Sequence, residues 1–202
     1  MKLYYVTTNK FKIDEAVDYF RNNEVASRFG IEICIIEHNV QEILDADIHK
    51  IVERKVIDAF AHVGRPCVVE HGGLFFDALP KLPGALGKII WDAVGERMCQ
   101  FLAQGDSRQA TARSCIGYCD GKTVKTYHGE TRGRIAERAR GDYVFHWDTI
   151  FIPEGSDQTY GEIGREGKRA SSQVVKAWEA FLGGTFAAAH PPRFSPPPPG
   201  NL

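Results

Sequence analysis

An aromatic and acidic segment near residue 150 is the part of the chain best suited to bind a planar ring. Residues 145–155 read FHWDTIFIPEG, so Phe145, Trp147 and Asp148 lie close together ahead of a Pro-Glu-Gly turn. Aromatic faces stack on a purine of any identity, and a fixed carboxylate accepts a hydrogen bond from a ring N–H. The same alternation is equally typical of a buried β-strand that ends in a turn. The segment therefore predicts either a base-binding wall or a core strand.

A second candidate site lies at the N-terminus, where a strand over Leu3–Val6 runs into a helix over Lys12–Phe20. Backbone N–H groups at a helix N-terminus and a nearby cation both attract anions, so this junction predicts a phosphate site. The alternative is that Asn9 only caps the helix and Lys12 is an exposed lysine whose removal costs little stability. The candidate phosphate-binding residues are Thr7, Thr8, Asn9 and Lys12.

These two segments belong to a series of four motifs in a fixed order. Residues 7–12 match Thr-Gly-Asn-x-x-Lys with Thr8 in place of glycine, and residues 68–79 (VVEHGGLFFDAL) match Glu-Asp-Ser/Thr-x-Leu-x-x-x-Ala-Leu. Leu82-Pro83-Gly84 follows, and then the aromatic segment continues through Thr159-Tyr160-x-Glu162. In this order, from about Lys2 to Leu182, the chain resembles the inosine triphosphate pyrophosphatase family, also called the Ham1 family, as a divergent member.

The resemblance implies a fold, a reaction and a cofactor. The expected fold class is α/β, with a long bent mixed β-sheet, flanking helices, two lobes and a central cleft that holds the active site. The implied reaction is attack of a metal-activated water on the α-phosphorus of a nucleoside triphosphate, which releases pyrophosphate and the monophosphate. Mg²⁺ suits this chemistry because it takes oxygen ligands and bridges phosphate oxygens. The family is commonly dimeric, so a homodimer is expected.

The resemblance also assigns roles to individual residues. Glu42 aligns with a metal-binding glutamate and Glu70 with the first acid of the Glu-Asp pair, while Lys55 and Lys88 align with cations near the phosphates. The implied catalytic residues are Glu70, His71 and Lys12, and the implied metal ligands are Glu42, Glu70 and His71. The implied substrate-binding residues are Thr7, Thr8, Asn9, Lys12, Lys55, Lys88, Phe145, Trp147, Asp148, Lys168, Ser172 and Gln173.

The first departure from the family pattern is His71, which occupies the position of the second acid. Histidine is a poor ligand for Mg²⁺ but a good one for Mn²⁺, Co²⁺ or Zn²⁺, and it can act as a general base near neutral pH. Successive side chains of a strand point to opposite faces. We therefore expect the strand to end at Glu70, with Gly72 and Gly73 forming a turn that lets His71 reach the site.

The second departure lies in the C-terminal base-recognition loop. Where the family has Ser-His-Arg, this chain has Ser172-Gln173-Val174, although Lys168 is retained. The family's His and Arg donate to the 6-oxo group of hypoxanthine or xanthine, whereas glutamine both donates and accepts and valine does neither. The sequence therefore predicts an altered base preference, with adenine or another amino-bearing base as a candidate.

Composition is consistent with a single enzyme-sized domain. The chain has 202 residues, 43% of them hydrophobic, and a formal net charge of −1, which gives no electrostatic footprint for nucleic acid. No apolar run approaches the length of a membrane span, so no membrane partner is expected. Five cysteines, an odd number without a secretory signal ahead of them, predict reduced thiols and a cytoplasmic protein.

The elements that must position these residues alternate between helix and strand. Helices are predicted over Lys12–Phe20, Ile48–Val63, Trp91–Leu102 and Ser171–Leu182. Strands are predicted over Leu3–Val6, Ile31–Ile36, Cys67–Glu70, Ala110–Cys119, Lys122–Thr131 and Val144–Ile152. One domain over residues 1–184 and a proline-rich, disordered tail over residues 185–202 are expected, with a docking peptide for a proline-binding module as the alternative for the tail.

Three functional hypotheses remain open from the sequence. The first is a nucleotide pyrophosphatase with a base preference different from inosine and xanthosine. The second is a catalytically impaired relative that binds a nucleotide as a sensor or scaffold, because His71 and the missing His-Arg pair remove groups that the family uses. The third keeps the fold but cleaves a different bond of a nucleotide.

Overall fold

The structure is a computed structural model that describes residues 1–142 and 145–187. Its helices are α1 (Lys10–Arg21), α2 (Glu24–Arg28), α3 (Ile48–Val63), α4 (Gly87–Val94), α5 (Tyr160–Arg169) and α6 (Gln173–Leu182). Its strands are β1 (Lys2–Val6), β2 (Glu32–Ile36), β3 (Cys67–Phe76), β4 (Leu79–Gly84), β5 (Gln109–Cys119), β6 (Val124–Ile135) and β7 (Phe151–Pro153). Two 3₁₀ segments cover Gly95–Phe101 and His146–Thr149, and a π-helical turn covers Gly183–Ala187.

The strands form one seven-stranded mixed sheet in the order β2-β1-β3-β5-β6-β7, with β4 paired to β3. Strands β1, β2 and β3 run parallel, and every pairing from β3 onward is antiparallel. The parallel part needs helical crossovers, which α1 and α3 provide, while short turns suffice for the antiparallel part. The sheet is curled and carries helices on its faces, so the predicted α/β fold is confirmed.

Alternating side chains of the sheet build a separate core on each face. On one face, Tyr5 and Val68 pack with α1 and α6, and on the other face Val6 and Val69 pack with α3. The helix α3 begins at Asp47, whose side chain accepts a hydrogen bond from the His49 N–H at 2.9 Å, and ends at Gly64 in the left-handed region. A regular cap at each end gives this helix the bounds that its apolar period predicts.

A third apolar cluster lies under the far end of the sheet and forms the second lobe. It joins the ends of β3 and β5 to the 3₁₀ segments, β7 and the first turn of α5. Its fully buried side chains include Leu74, Phe76, Phe151 and Tyr160. The functional cleft lies between this lobe and the first two clusters.

Strand β1 is shorter than β3, and this difference opens an edge of the sheet. The two strands pair only at Tyr4 with Cys67 and Tyr5 with Val68. Beyond Val68, therefore, β3 has no ladder with β1. The backbone of Glu70 faces the space that β1 would otherwise fill.

Three of the predicted elements differ from the structure. The strand predicted over Cys67–Glu70 does not end there: β3 continues through Gly72 and Gly73 to Phe76, because β5 pairs with it along its whole length. The helix predicted over Trp91–Leu102 is instead α4 followed by a 3₁₀ segment, with the break at Gly95, whose φ is 57°.

The strand predicted over Val144–Ile152 is also wrong in most of its length. The described part contains a 3₁₀ turn over His146–Thr149 and only a short strand, β7, after it. The aromatic alternation that suggested a strand comes instead from side chains that pack inward from a tight turn.

The π-helical turn carries ordered structure past the predicted domain boundary at residue 184. The Thr185 hydroxyl donates to the Tyr127 hydroxyl at 2.7 Å, and the Phe186 ring packs on Phe181 with centroids 5.6 Å apart. The first residues of the predicted tail are therefore folded, and residues 188–202, with their proline run, lie outside the described residues. Among the described residues, no helix combines the length and apolar character needed to cross a membrane.

Candidate functional site

The turn between β1 and α1 is held by its own polar side chains. Asn9 caps α1, with its side-chain oxygen accepting from the Lys12 N–H at 3.3 Å, and the Thr7 hydroxyl accepts from the Asn9 N–H at 3.2 Å. Thr8, between them, is exposed. These contacts fix the start of α1 and aim Lys12, in its first turn, at the cleft.

Lys12 forms an ion pair with Glu70 in the middle of the site. The Lys12 Nζ lies 2.6 Å from a carboxylate oxygen of Glu70, whose other oxygen accepts from the Ser114 hydroxyl at 2.7 Å. Glu70 is buried, with 3% of its surface exposed. Burial alone would raise its pKa, but the charge and hydrogen bond of Lys12 and the hydrogen bond of Ser114 outweigh it and hold the pKa below its usual value. Glu70 is therefore an anion.

A second lysine approaches the same strand from the opposite side. Lys55, on α3, is buried and makes an ion pair with Glu42. The Nζ atoms of Lys12 and Lys55 each lie 3.5 Å from the backbone oxygen of Glu70. Burial and the neighbouring Lys12 lower the pKa of Lys55, while Glu42 opposes the shift. Two cations thus converge on one carbonyl at the open edge of β3.

The open edge of β3 explains how two consecutive residues of a regular strand, whose side chains point to opposite faces, both line one cleft. Glu70 has the parity of Val68 and faces α1, whereas His71 has the parity of Val69 and faces α3. Because β1 stops at Val6, side chains from both faces reach around the edge into a single cleft. No turn at Gly72 is needed, which is why the predicted strand end was wrong.

The geometry of His71 settles which of its nitrogens carries a proton. Its Nε2 lies 2.8 Å from the backbone oxygen of Ala85, and a carbonyl oxygen only accepts, so Nε2 donates. Burial first, and then Lys12, lower the pKa of His71. The ring is therefore neutral near pH 7, and its Nδ1, which lies 3.8 Å from a Glu42 oxygen, has a lone pair directed at the cleft.

The three predicted metal ligands line the same cleft without forming a compact cluster. Glu42 is paired with Lys55 and Glu70 with Lys12, and only Glu42 and His71 approach each other. Within residues 1–142 and 145–187, no three His, Cys, Asp or Glu side chains are grouped closely enough to hold a metal ion. The donors present match an ion that arrives on phosphate oxygens and needs only one or two protein carboxylates.

At the other end of the cleft, a buried ion pair lies behind aromatic side chains. The Lys168 Nζ lies 2.8 Å from Asp148 and 3.3 Å from Glu15. Burial raises the pKa of Asp148 to about 6, although Lys168 opposes the shift. Phe145 stacks on Phe11 with ring centroids 5.0 Å apart. The Lys168 Nζ lies 4.8 Å from the centroid of the same Phe145 ring.

An irregular backbone presents these aromatic residues. His146 has a φ of 50°, a conformation that non-glycine residues seldom adopt, and it precedes the buried Trp147. A β-carbon on Gly87 would lie 3.1 Å from the indole ring, so a larger residue at the start of α4 would require Trp147 to shift by a few tenths of an ångström. Burial first, and then Lys12, lower the pKa of His146 to about 4. The turn therefore holds a neutral histidine and a buried indole at the cleft.

The loop at the start of α6 carries few hydrogen-bond donors. Ser172 caps the helix by accepting from the Val174 N–H at 3.2 Å, and Gln173 is 4% exposed. The side-chain oxygen of Gln173 has no hydrogen-bond partner among the described residues. A β-carbon on Gly129 would lie 2.3 Å from the Gln173 backbone oxygen, so close packing of α6 on β6 fixes this residue.

Most of the sequence-predicted residues meet in this cleft. It has a volume of about 50 Å³ and is lined by Lys12, Glu42, Glu70, His71, Lys88, Phe145, Trp147, Asp148, Lys168 and Gln173, among others. Lys55 lies behind Glu42, and Thr7, Thr8 and Asn9 shape the start of α1 without lining the cavity. Lys88 is at the rim, with 54% of its side chain exposed and a pairing to Asp92. Ser172 lines an adjoining cleft.

Sequence reasoning missed three residues that line or support the site. Glu15 and His146 line the cleft, and Ser114 holds Glu70. Glu15 had a usable signal, because it lies three residues after Lys12 and therefore on the same face of α1. Nothing local in the sequence marks Ser114, which reaches Glu70 across the pairing of β3 with β5.

Comparison with known proteins gives a consistent result over nearly the whole chain. Residues 3–183 match the model of the Ham1 family. The chain is 36% identical over 183 residues to a protein from Methanopyrus kandleri named dITP/XTP pyrophosphatase, covering 90% of this chain and 94% of that protein. A protein of the same name from Pyrococcus horikoshii is 34% identical over 184 residues, with coverages of 90% and 95%.

Solved structures show the same fold. A nucleoside-triphosphatase, dITP/XTP pyrophosphatase, from Mycobacterium abscessus superposes with a TM-score of 0.69 at 25% identity, covering 90% of this chain and 97% of that one. A Ham1 protein from Coxiella burnetii superposes with a TM-score of 0.73 at 22% identity, with coverages of 90% and 96%. With its family match, its relatives and its cleft in agreement, the chain belongs to the Ham1 family.

Proposed function

We propose that this protein is a nucleoside triphosphate pyrophosphatase that hydrolyses its substrate to the monophosphate and pyrophosphate. We further propose that it does not share the family's preference for inosine and xanthosine triphosphates. One observation carries the proposal. At one end, a single cavity is lined by Lys12, Glu42 and Glu70, with Lys55 paired to Glu42 behind it, and at the other end it is lined by the aromatic and acidic segment. This arrangement suits a molecule with a polyanionic end and a planar end.

A triphosphate binds at the phosphate end by replacing the carboxylate partners of two lysines. Lys12 and Lys55 now pair with Glu70 and Glu42, and a triphosphate competes for the same ammonium groups. The start of α1 adds its N–H groups and partial positive charge. Lys12 and Lys55 thereby hold the phosphate chain across the open edge of β3, while Lys88 at the rim contacts it from the solvent side.

A divalent ion is expected to enter with the substrate. Such an ion would supply positive charge that offsets the negative charge developing during attack at the α-phosphorus. Glu42 and Glu70 are the oxygen donors that this chain offers. The His71 Nδ1 would suit Mn²⁺ better than Mg²⁺, but only as an alternative to its role as a base, because one lone pair cannot serve both. Activity with Mn²⁺ above that with Mg²⁺ would indicate that His71 joins the ion.

His71 is placed to accept the proton of the attacking water. Its Nε2 donates to Ala85, so the free Nδ1 is the basic atom, and its lowered pKa keeps it unprotonated at neutral pH. Water loses a proton to Nδ1 as its oxygen bonds to the α-phosphorus, and the bond to the bridging oxygen of pyrophosphate breaks. Position 71, where the family has an acid, thus still carries a base.

Base preference follows from the groups around Gln173. The family's His and Arg donate to a 6-oxo group, and here Val174 donates nothing while Gln173 presents an unpartnered oxygen. A 6-oxo purine finds too few donors, so its advantage is lost. A homodimer in the cytoplasm is also proposed. It rests on the family resemblance and on five cysteines that are all free thiols, and sedimentation of the purified protein would test the dimer.

The decisive experiment measures pyrophosphate release from a panel of nucleoside triphosphates with Mg²⁺ and with Mn²⁺, and identifies products by mass spectrometry. Equal amounts of pyrophosphate and monophosphate support the proposal. Release of single phosphates or free base would instead indicate that a different bond is cleaved. Hydrolysis of inosine triphosphate at least about tenfold faster than of adenosine and guanosine triphosphates would contradict the altered preference.

A second candidate function is nucleotide binding without turnover, as a sensor or scaffold. It is favoured by His71 in place of the second acid and by carboxylates that are already paired with lysines. Calorimetric binding of a nucleotide that is not hydrolysed with either ion would support it. The variant His71→Asp then discriminates further, because it restores the family's acid and should raise Mg²⁺-dependent activity only if the wild type is impaired.

A further inference from the structure

A second cleft adjoins the base end of the site and is not explained by the chemistry above. It lies between α1, the end of α5 and the start of α6, with a volume of about 240 Å³. It shares three lining residues with the functional cleft, namely Glu15, Lys168 and Val174. The two cavities are therefore neighbours with these side chains as a common wall. A substituent that projects from the base pocket past Val174 would extend toward the second cleft.

The junction between the cavities presents hydrogen-bond acceptors. One carboxylate oxygen of Glu15 lies 3.3 Å from Lys168, and the other is buried with no hydrogen-bond partner among the described residues. The side-chain oxygen of Gln173 is in the same condition. Buried polar atoms are normally paired, so two such oxygens at the edge of a pocket call for a ligand that brings donors. Lys168, which also lines the junction, already pairs with Glu15 and Asp148, so the free Glu15 oxygen is a group there that still needs a donor.

Beyond the junction, the walls become apolar and aromatic. Tyr19 and Trp178 are both buried, and their rings are stacked with centroids 6.4 Å apart. Val175 adds an aliphatic wall. Charged residues also line the cleft: Arg165 pairs with Asp18 at 2.6 Å, and Glu166 and Arg169 lie beside them. The part bounded by Tyr19, Trp178 and Val175 suits an uncharged hydrocarbon group.

We propose that the base site takes purine nucleotides whose exocyclic amine carries a hydrocarbon substituent, with the amine N–H donating to Glu15 and the substituent lying in the second cleft. This inference rests on the proposed function and names the substrate class of that site. Val174 lies in the junction between the two cavities, where a long cationic side chain would fill space that valine leaves free. The same change that removes recognition of an oxo group therefore admits a substituted amine.

The test compares binding of adenosine monophosphate, inosine monophosphate, N6-benzyl adenosine monophosphate and N2-benzyl guanosine monophosphate by calorimetry. The wild type should bind one of the benzylated nucleotides at least as tightly as adenosine monophosphate and about tenfold more tightly than inosine monophosphate. The two benzylated probes show whether the site binds a substituted amine at position 6 or at position 2 of the purine. Tightest binding of inosine monophosphate, or rejection of both benzylated probes, overturns the inference.

Three variants test whether the effect comes from the residues named. Val175→Phe fills the second cleft and should reduce the affinity ratio of benzylated to unsubstituted nucleotide about tenfold, whereas Val175→Ala should leave or raise that ratio. Glu15→Gln replaces an acceptor by a group that also donates, so it should shift preference toward inosine monophosphate. An unchanged ratio in both Val175→Phe and Glu15→Gln shows that the substituent lies elsewhere and overturns the assignment.

Failure of this inference is distinguishable from failure of the proposed function. The ratio of kcat/KM for benzylated and plain triphosphates reports the same preference where monophosphates bind too weakly to measure. Pyrophosphate release from inosine triphosphate together with rejection of both benzylated triphosphates overturns the inference alone. Release from no triphosphate overturns the proposed function, and the calorimetric comparison still decides whether the second cleft binds the substituent.

Discussion

The two ends of the cleft are built in different ways. At the phosphate end, Lys12 and Lys55 extend from regular helices and are already paired with carboxylates. At the base end, the residues lie on a 3₁₀ turn with a positive φ at His146 and on a helix with a kink at Gly164. There, buried oxygens of Glu15 and Gln173 lack partners among the described residues.

Under the proposed function, this difference indicates which end of the cleft discriminates between substrates. A triphosphate is the same in every nucleotide, so a rigid and fully paired phosphate end serves any of them. The base end must discriminate, and discrimination comes from buried groups that only the correct base can satisfy. Unpaired acceptors at this end destabilise the free protein, and a hydrogen-bond donor on the ligand removes this destabilisation.

The largest expected effect comes from breaking the pairing at the phosphate end. Lys12→Met leaves the buried Glu70 anion without its cation, so the free energy of unfolding should fall by about 3–5 kcal/mol. Lys88→Met is the matched control, because Lys88 is half exposed and its loss should cost less than about 1 kcal/mol. Denaturant titration measures both values.

A double substitution sharpens this comparison. In Lys12→Met with Glu70→Gln no buried charge is left unpaired, so the double variant should be more stable than Lys12→Met alone. Equal stability of wild type and Lys12→Met would show that Lys12 is the solvated first-turn lysine that its position suggests, and would remove the contrast between the two ends.

The next effect concerns His71 as the proton acceptor. His71→Asn keeps a polar side chain but removes the base, so kcat should fall about 100-fold with little change in KM. His49→Asn is the control, since His49 lies outside the cleft at the start of α3. Steady-state kinetics with both ions measure the change. A variant that lost affinity instead of turnover would place His71 in substrate binding.

At the base end, restoring donors should change specificity. Gln173→His with Val174→Arg should raise the ratio of kcat/KM for inosine over adenosine triphosphate by about tenfold or more, because each hydrogen bond to a buried oxo group contributes about 1–3 kcal/mol. Val25→Arg, on the exposed surface of α2, adds the same charge away from the site and should leave the ratio as it is. An unmoved ratio in the double variant would mean that recognition lies outside this loop.

The smallest effect is a pH dependence of stability at the aromatic turn. Burial lowers the pKa of His146 from 6.5 to about 4, so the folded state prefers the neutral ring. The corresponding stability is fully present above the unfolded value of 6.5 and is lost as the pH falls toward 4. The variant His146→Gln has no titrating group at this position, so it should not lose stability in this way. Calorimetry should show the Tm of the wild type falling relative to the variant, by roughly a few degrees, over that range. Parallel curves would contradict the assignment.

The sequence predicts the phosphate end better than the base end, for a physical reason. The bounds of α3 follow from its apolar period and from residues that cap it at Asp47 and Gly64. The turn at His146 cannot be predicted in that way, because inward-facing aromatic residues alternate both in a strand and in a short 3₁₀ turn. The end of β3 was missed for a different reason: β5 sustains the strand, and its reach depends on long-range pairing that no local pattern records.

The roles of individual residues divide along the same line. Lys12, Glu70 and Asp148, each singled out by a motif, line the same cleft, and their roles stay predictions. The orphan oxygen of Glu15 and the cavity beside it depend on how α1, α5 and α6 pack together. Their relation is set by tertiary contacts such as the close approach of α6 to Gly129, which no motif describes.

The open edge of β3 allows a bound ligand to couple the motions of α1 and α3. Lys12 belongs to the layer above the sheet and Lys55 to the layer below it, and they meet only because β1 stops short. A polyanion held by both lysines links α1 to α3 across the sheet without passing through its core. Amide hydrogens in both helices should then exchange more slowly together when nucleotide is bound. The two layers would open as one unit in the complex and as separate units in the free protein.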